Sequence, residues 1–110
     1  MVKLTVLYGH PTDPGAFETY YANTHVPLAL KIPGLARFEA AKVRGTPEGG
    51  TAPYFYIVEL WFADQEQLQA SMGSAEGQEA AADLANFATG GTTPTRSAAL
   101  HGARMGRALR

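Results

Sequence analysis

A histidine and a tyrosine lie one helical turn apart near the beginning of the chain. The segment PGAFETYYANTHVPLALKIPGL spaces Tyr21 and His25 four residues apart on one predicted helix. Imidazole takes up and returns protons near neutral pH, so His25 is a candidate general acid or base. Tyr21 is the candidate partner, which would bind a substrate carbonyl or orient the imidazole. The spacing alone favours structural roles, with Tyr21 in the core and the His25 ring bonded to a carbonyl that Pro27 leaves free.

Two predicted strands carry a second group of candidate residues. They are the segments LARFEAAKVR and YFYIVELWF, in which alternate residues share one face of a sheet. One face of the pair mixes charged groups with a large aromatic side chain, which is typical of a ligand cavity. It holds the predicted substrate-binding residues Arg37, Glu39, Glu59 and Trp61. The other face is apolar or aromatic and is expected to meet the helices.

These substrate-binding candidates have alternative roles. Trp61 could stack on a planar substrate or anchor contact with a second protein chain, where tryptophan is enriched. Glu39 and Glu59 could share one proton and act as a donor near neutral pH. The alternative, which the sequence favours, is that each carboxylate pairs with a neighbouring cation, Arg37 or Lys3.

Composition excludes several classes of function. The chain has 110 residues, a formal net charge of −1 and no cysteine, which predicts one domain without disulfides. Nucleic acid and anionic membranes are not expected as partners because both require a basic surplus, and no apolar run is long enough to span a bilayer. The histidines lack metal-site spacing and no phosphate-binding glycine motif is present, so neither a metal nor a cofactor is predicted. A cytoplasmic protein is the expectation.

The order of the predicted elements indicates how these residues are positioned. A strand from Val2 to Tyr8 precedes the helix, which is expected to kink or break at Pro27. The two strands follow, and then a helical region that begins at the capping box of Asp64 and begins again at Ser74. With a closing strand, this order is the ferredoxin-like βαββαβ unit, an α+β fold with both helices on one face of an antiparallel sheet. The third strand is apolar on both faces except for Glu59, so a second copy of the chain is expected to cover the open face.

Three segments together resemble the EthD family, small proteins of the dimeric α/β-barrel superfamily named after a component of an ethyl tert-butyl ether degradation cluster. The segments are TYYANTHVPLALKIPGLARFE, YFYIVELWF and SMGSAEGQEAAADLANFATGG, in the family's order within residues 1–91. The resemblance implies a ferredoxin-like protomer that pairs into a barrel, and an association with oxidative catabolism or with decarboxylation and dehydration in polyketide pathways. Related barrel families include cofactor-free monooxygenases, lactone isomerases and haem enzymes. In the family a histidine precedes x-Pro-Leu, which makes the catalytic role of His25 as well supported as the structural one.

The end of the chain departs from the family pattern. Similar proteins continue with a short apolar strand, whereas residues 92–110 read TTPTRSAALHGARMGRALR and form an atypical basic segment. Thr92 to Leu100 are predicted to form a weak edge strand, where Pro94 is tolerated. The alternative is a short exposed helix or a tail from Ser97 to Arg110.

The sequence therefore predicts a small, cofactor-independent, homodimeric enzyme. An apolar, ring-bearing molecule would bind between the first helix and the polar face of the sheet. His25 would act as acid or base, while Tyr21 and Trp61 would position the substrate. Oxidation, decarboxylation or dehydration of an activated carbon acid requires only a placed base and a dry pocket. The alternative is a non-catalytic small-molecule binder or an accessory protein to an oxygenase system, in which His25 is structural.

Overall fold

The structure, a computed structural model, describes residues 1–98 as a four-stranded antiparallel sheet with helices on one face. The strands lie in the order β2-β3-β1-β4, and they are β1 (Val2–Gly9), β2 (Arg37–Lys42), β3 (Tyr54–Phe62) and β4 (Thr92–Ala98). The helices are α1 (Pro14–Tyr20), α2 (Val26–Ala29), α3 (Gln65–Gly73) and α4 (Ala75–Asp83). This arrangement is the predicted ferredoxin-like fold.

At Pro27, where the sequence predicted a kink or a break, the chain stays helical and the helix is distorted instead. A π-helical segment, Tyr21–His25, joins α1 to α2, and the backbone N–H of Val26 donates to the carbonyl of Tyr21. Proline lacks an N–H and its ring crowds the preceding turn of an α-helix. The wider π turn accommodates the missing N–H and the crowding ring of Pro27 without ending the helix. His25 is the last residue of this segment, so the same turn sets the direction of the imidazole.

Side-chain caps fix the N-terminal ends of α3 and α4, the two helices in the second half of the chain. Asp64 and Ser74 each accept a hydrogen bond from the backbone N–H three residues later, as the sequence predicted. Ser74 thereby separates α3 from α4. Helix α4 ends at Asp83, and the chain continues as a 3₁₀ turn over Leu84–Asn86.

The two faces of the sheet are covered differently. Side chains alternate between the faces of a strand, and the helix-facing set packs with the helices into one core rich in aromatic rings. Its large buried members are Val6, Tyr8, Phe17, Tyr21, Phe55, Val58, Leu60, Phe62, Leu68 and Phe87. The opposite face includes Leu7, Ile57 and Trp61, which are only half-buried. No helix within residues 1–98 covers that face.

The closing strand is present at one edge of the sheet. β4 pairs with β1 in a continuous register from Val2–Ala98 to Tyr8–Thr92, and most of its side chains are exposed. Pro94 lies opposite Val6, on an edge strand where a missing N–H is tolerated. Residues 92–98 thus form the weak edge strand that the sequence predicted. The alternative helix or tail falls beyond residue 98, outside the described residues.

Candidate functional site

A cavity of about 170 Å³ lies between the helices and the helix-facing side of the sheet. Strands β1 and β3 form its floor, and the π-helical segment, α2 and α4 form its roof. Most of its lining is apolar: Leu4, Val6, Ala29, Ile32, Phe38, Val58, Leu60, Met72, Ala80, Ala81, Leu84 and Pro94. The side chains in the lining that carry a polar atom are Tyr8, Tyr21, His25 and Thr92. A cavity with apolar walls and a few polar groups is the usual form of a small-molecule site.

The His25 imidazole is held by a carboxylate from α4. Its Nδ1 lies 2.9 Å from Oδ2 of Asp83, and the two side chains are only 8% and 7% exposed. An ionised carboxylate can only accept hydrogen bonds, so Nδ1 carries a ring hydrogen and donates it to Oδ2. Within residues 1–98, Nε2 has no hydrogen-bond partner, and the imidazole lines the cavity. A neutral imidazole oriented in this way is equipped to act as a base.

Three donors keep Asp83 ionised. Besides His25, the hydroxyl of Tyr20 donates to Oδ1 at 2.6 Å, and the amide of Asn86 donates to the same oxygen at 2.9 Å. Burial by itself raises the pKa of the Asp83 carboxyl, but these hydrogen bonds outweigh burial and hold the pKa below its ordinary value. The bond to Asp83 in turn raises the pKa of Tyr20. The network therefore places a fixed negative charge beside His25.

Tyr21 contributes a buried hydroxyl that has no partner. Its ring centroid lies 5.5 Å from that of His25 and 5.8 Å from that of Tyr8. Burial, and to a lesser extent the neighbouring Tyr8 and Tyr56, raise the pKa of Tyr21, so its hydroxyl keeps its proton. The hydroxyl is buried and makes no hydrogen bond within the part of the chain described.

The structure does not bring all the predicted site residues into one cavity. His25 and Tyr21 lie on the helix side of the sheet. The predicted substrate-binding residues point to the opposite face, because they alternate along β2 and β3 with residues such as Phe38 and Leu60 that line the cavity. They are Arg37, Glu39, Glu59 and Trp61. The expected location of the ligand, on the polar face, therefore differs from that of the observed cavity.

The open face of the sheet carries paired charges around Trp61. The Arg37 guanidinium and the Lys3 ammonium lie 4.9 Å and 5.5 Å from the centroid of the Trp61 ring, which is within the range of cation–π contact. Glu39 and Glu59 lie directly opposite each other on β2 and β3. Each is nevertheless paired with a cation, Glu39 with Arg37 and Glu59 with Lys3. This is the alternative that the sequence favoured for the two carboxylates.

Asp83 is the site residue that the sequence analysis did not identify. Tyr20, for which the sequence predicted no role in the site, is one of its hydrogen-bond donors. The sequence did contain a local signal for Asp83. The residue lies three positions after Ala80 and six after Gly77, on the stripe of small residues that α4 buries. An acidic residue on a buried stripe requires a partner. No sequence pattern could show that the partner is His25, which lies 58 positions earlier.

Two further observations concern ions and membranes. Within residues 1–98, no three side chains of the metal-binding types converge on a common point. In the same part of the chain, no helix combines the length and apolar composition that crossing a membrane requires.

The fold and the site define a class of protein: a ferredoxin-like α+β protomer with an apolar cavity and a buried histidine–carboxylate pair at its wall. The family model of the EthD domain matches residues 9–91. An uncharacterized 11.0 kDa protein from the thcB–thcC intergenic region of Rhodococcus erythropolis is 41% identical over 93 residues, which cover 84% of this chain and 89% of that protein. The chain belongs to the EthD family, which confirms the resemblance seen in its sequence.

Solved structures agree with this assignment. The crystal structure of an EthD family protein from Bacillus halodurans is 36% identical, with a TM-score of 0.86 over 91% of this chain and 99% of that one. A dimeric ferredoxin-like protein of unknown function from Thermobifida fusca is 15% identical, with a TM-score of 0.67 over 88% and 89%. SnoaB, a cofactor-independent oxygenase from Streptomyces nogalater, is 16% identical, with a TM-score of 0.60 over 89% and 90%. The last two share the fold.

Proposed function

We propose that this chain is a small acid–base enzyme that acts, without a cofactor, on an apolar, ring-bearing molecule held in the cavity. The observation that carries the proposal is the geometry of His25. An ionised Asp83 fixes Nδ1, and the ring lines an apolar cavity with Nε2 unpaired within residues 1–98. A base in this position can accept a proton from a bound molecule, and the adjacent carboxylate stabilises the imidazolium that forms.

The proposed chemistry is proton transfer at carbon. Nε2 of His25 removes a proton from a C–H bond made acidic by an adjacent carbonyl, and the electron pair of that bond remains on the substrate as an enolate. The enolate can react with dioxygen or expel a leaving group, after which the imidazolium returns its proton. Membership of the EthD family and the fold shared with a cofactor-independent oxygenase support an oxidoreductase or lyase role in catabolism or polyketide-like metabolism.

The proposal includes a homodimer that forms through the open face of the sheet. Half-buried Leu7, Ile57 and Trp61 give this face an apolar centre. Ion pairs such as Lys3–Glu59 surround it with charges of both signs, which suit a second copy of the same surface. The dimeric protein from Thermobifida fusca shares the fold. In this assignment Arg37, Glu39, Glu59 and Trp61 serve pairing, and substrate contact falls to the residues of the cavity.

A non-catalytic binder or oxygenase accessory protein is the second candidate. The observation in its favour is that Asp83 also bonds Tyr20 and Asn86, so the network ties α4 to the end of α1 whether or not His25 transfers a proton. A binder would use the same cavity. The two candidates differ only in whether the imidazole exchanges protons with the ligand.

Deuterium exchange into small cyclic ketones separates the two candidates. The full chain is incubated in D₂O with cyclohexanone or 2-methylcyclopentanone, and proton NMR follows the loss of the C–H signals next to the carbonyl. We expect the wild-type chain to catalyse this exchange. The variant His25→Gln should slow it by at least about 100-fold, which is the usual contribution of a positioned general base.

The matched control is His10→Gln, which alters an exposed histidine whose ring bonds the carbonyl of Ala52. This variant should exchange the ketones at the wild-type rate. Equal rates for wild type and a folded His25→Gln variant would remove His25 from catalysis and leave the binding role.

A further inference from the structure

The hydroxyl of Tyr21 is an unused hydrogen-bond donor at a wall of the cavity. The residue is 4% exposed, and its oxygen has no hydrogen-bond partner within residues 1–98. Buried polar side-chain atoms in native proteins are almost always paired, and an exception calls for a specific explanation. Tyr8 lines the same cavity. A ligand that brings an acceptor would complete the pairing.

The size of the cavity suits one small ring. Its volume is about 170 Å³, and an apolar cavity of about 150 Å³ is known to hold benzene. Aliphatic side chains from β1, β3 and α2, such as Val6, Val58 and Ala29, line the space.

The electrostatics of the wall require an uncharged ligand. Burial raises the pKa of Tyr8 and of Tyr21, so both hydroxyls carry their protons at neutral pH and act as donors. Asp83 remains ionised behind His25 and would repel an anion. Among residues 1–98, no carboxylate lines the cavity to pair with a cation, since its lining is apolar apart from three hydroxyl-bearing residues and His25. The partner that suits a tyrosine donor in this setting is a neutral oxygen that only accepts, and a carbonyl oxygen meets this requirement beside the base His25.

We infer that the cavity selects an uncharged, monocyclic carbonyl compound whose oxygen accepts a hydrogen bond from the hydroxyl of Tyr21. The inference rests on the proposed function only for the location of the site. The Tyr21 and His25 rings are neighbours, with centroids 5.5 Å apart. A ligand carbonyl that is bonded to Tyr21 therefore places the adjacent carbon of the ligand's own ring on the side of the His25 imidazole. Tyr21 would set the specificity of the site, and His25 would act on what is bound.

A matched pair of ligands tests the inference by binding alone. Cyclohexanone and methylenecyclohexane have nearly the same shape, and only the ketone offers an oxygen acceptor. Their affinities for the full chain are measured by NMR titration of the cavity methyl signals. We expect the wild-type protein to bind the ketone about ten-fold more tightly, as one hydrogen bond to a buried donor provides.

Two tyrosine variants then assign that preference to one hydroxyl. Tyr21→Phe should bind the two ligands within about two-fold of each other and, without ligand, should be as stable as the wild type, because an unpaired polar atom has been replaced by an apolar one. Tyr54→Phe, at the start of β3 and outside the cavity lining, should keep the ten-fold preference.

Several results would overturn the inference. They are equal affinity of the wild type for both ligands, failure of both to bind at millimolar concentration, and retention of the ketone preference in Tyr21→Phe. The test is independent of turnover. Unchanged deuterium exchange in His25→Gln with an intact ketone preference would end the proposed catalysis and leave this inference standing.

Discussion

The two faces of the sheet differ in how deeply their polar groups are buried. On the helix side, His25 and Asp83 are almost fully buried and pair beside an apolar cavity that His25 lines. On the open side, the Arg37–Glu39 pair is more than half exposed and the Lys3–Glu59 pair is partly exposed. Buried polar groups depend on their partners far more than exposed ones do, because water cannot replace a partner that is lost. The helix side is therefore suited to chemistry and the open side to association.

Loss of Asp83 is the most severe test of this difference. In Asp83→Ala the buried Nδ1–H of His25 has no acceptor, and its desolvation remains uncompensated. We expect the free energy of unfolding at neutral pH to fall by about 3 kcal/mol, measured by urea denaturation. Glu79→Ala, on the exposed side of the same helix, should change it by less than about 0.5 kcal/mol. Equal losses in the two variants would show that the buried network does not stabilise the helix side.

Loss of Trp61 tests the role of the open face. If two copies pair there, Trp61→Ala should weaken the dimer by about 2 kcal/mol, or roughly 30-fold in dissociation constant, because central aromatic residues dominate interfaces. Sedimentation or light scattering across a concentration series measures the change. Leu30→Ala removes a hydrophobic side chain that is 57% exposed on α2's C-terminal side, and it should leave the dimer unaffected. A dimer indifferent to both substitutions would place the interface elsewhere.

The pH dependence of stability tests the charge of the buried Asp83, with a smaller expected effect. The folded protein holds the pKa of Asp83 below its ordinary value, and unfolding restores it to about 4. Between these two pKa values the unfolded chain binds more protons than the folded one. The stability that Asp83 supplies is therefore present above about pH 4 and is lost as the pH falls through the lower pKa of the folded protein. Wild type and Asp83→Asn should therefore converge in stability as acid is added, whereas an unchanged difference would mean that the carboxylate charge is not what stabilises the pair.

The outline of the fold could be read from local sequence patterns. The strand YFYIVELWF occupies Tyr54–Phe62 as predicted, and Asp64 and Ser74 cap their helices. These features depend on alternation and on contacts a few residues apart. At Pro27 the sequence predicted a kink or a break. The helix continues there through a π-helical segment, which local sequence patterns do not reveal.

The candidate site was only half predictable. His25 and Tyr21 were found because a single helical turn relates them. The substrate-binding candidates formed a genuine cluster around Trp61, but on the face away from the cavity. Alternation along a strand shows which residues share a face; it does not show on which face a cavity will form.

The sequence by itself determined the element order, the helix starts, the apolar third strand and the family, since each is written in neighbouring residues. Only the tertiary structure decided that Asp83 meets His25 and that the Tyr21 hydroxyl is left without a partner. The physical reason is distance along the chain. The His25–Asp83 contact joins residues 58 positions apart, and it exists because α4 packs on α2, which directly follows the π-helical segment. That docking is the joint result of many side chains, and no short segment records it.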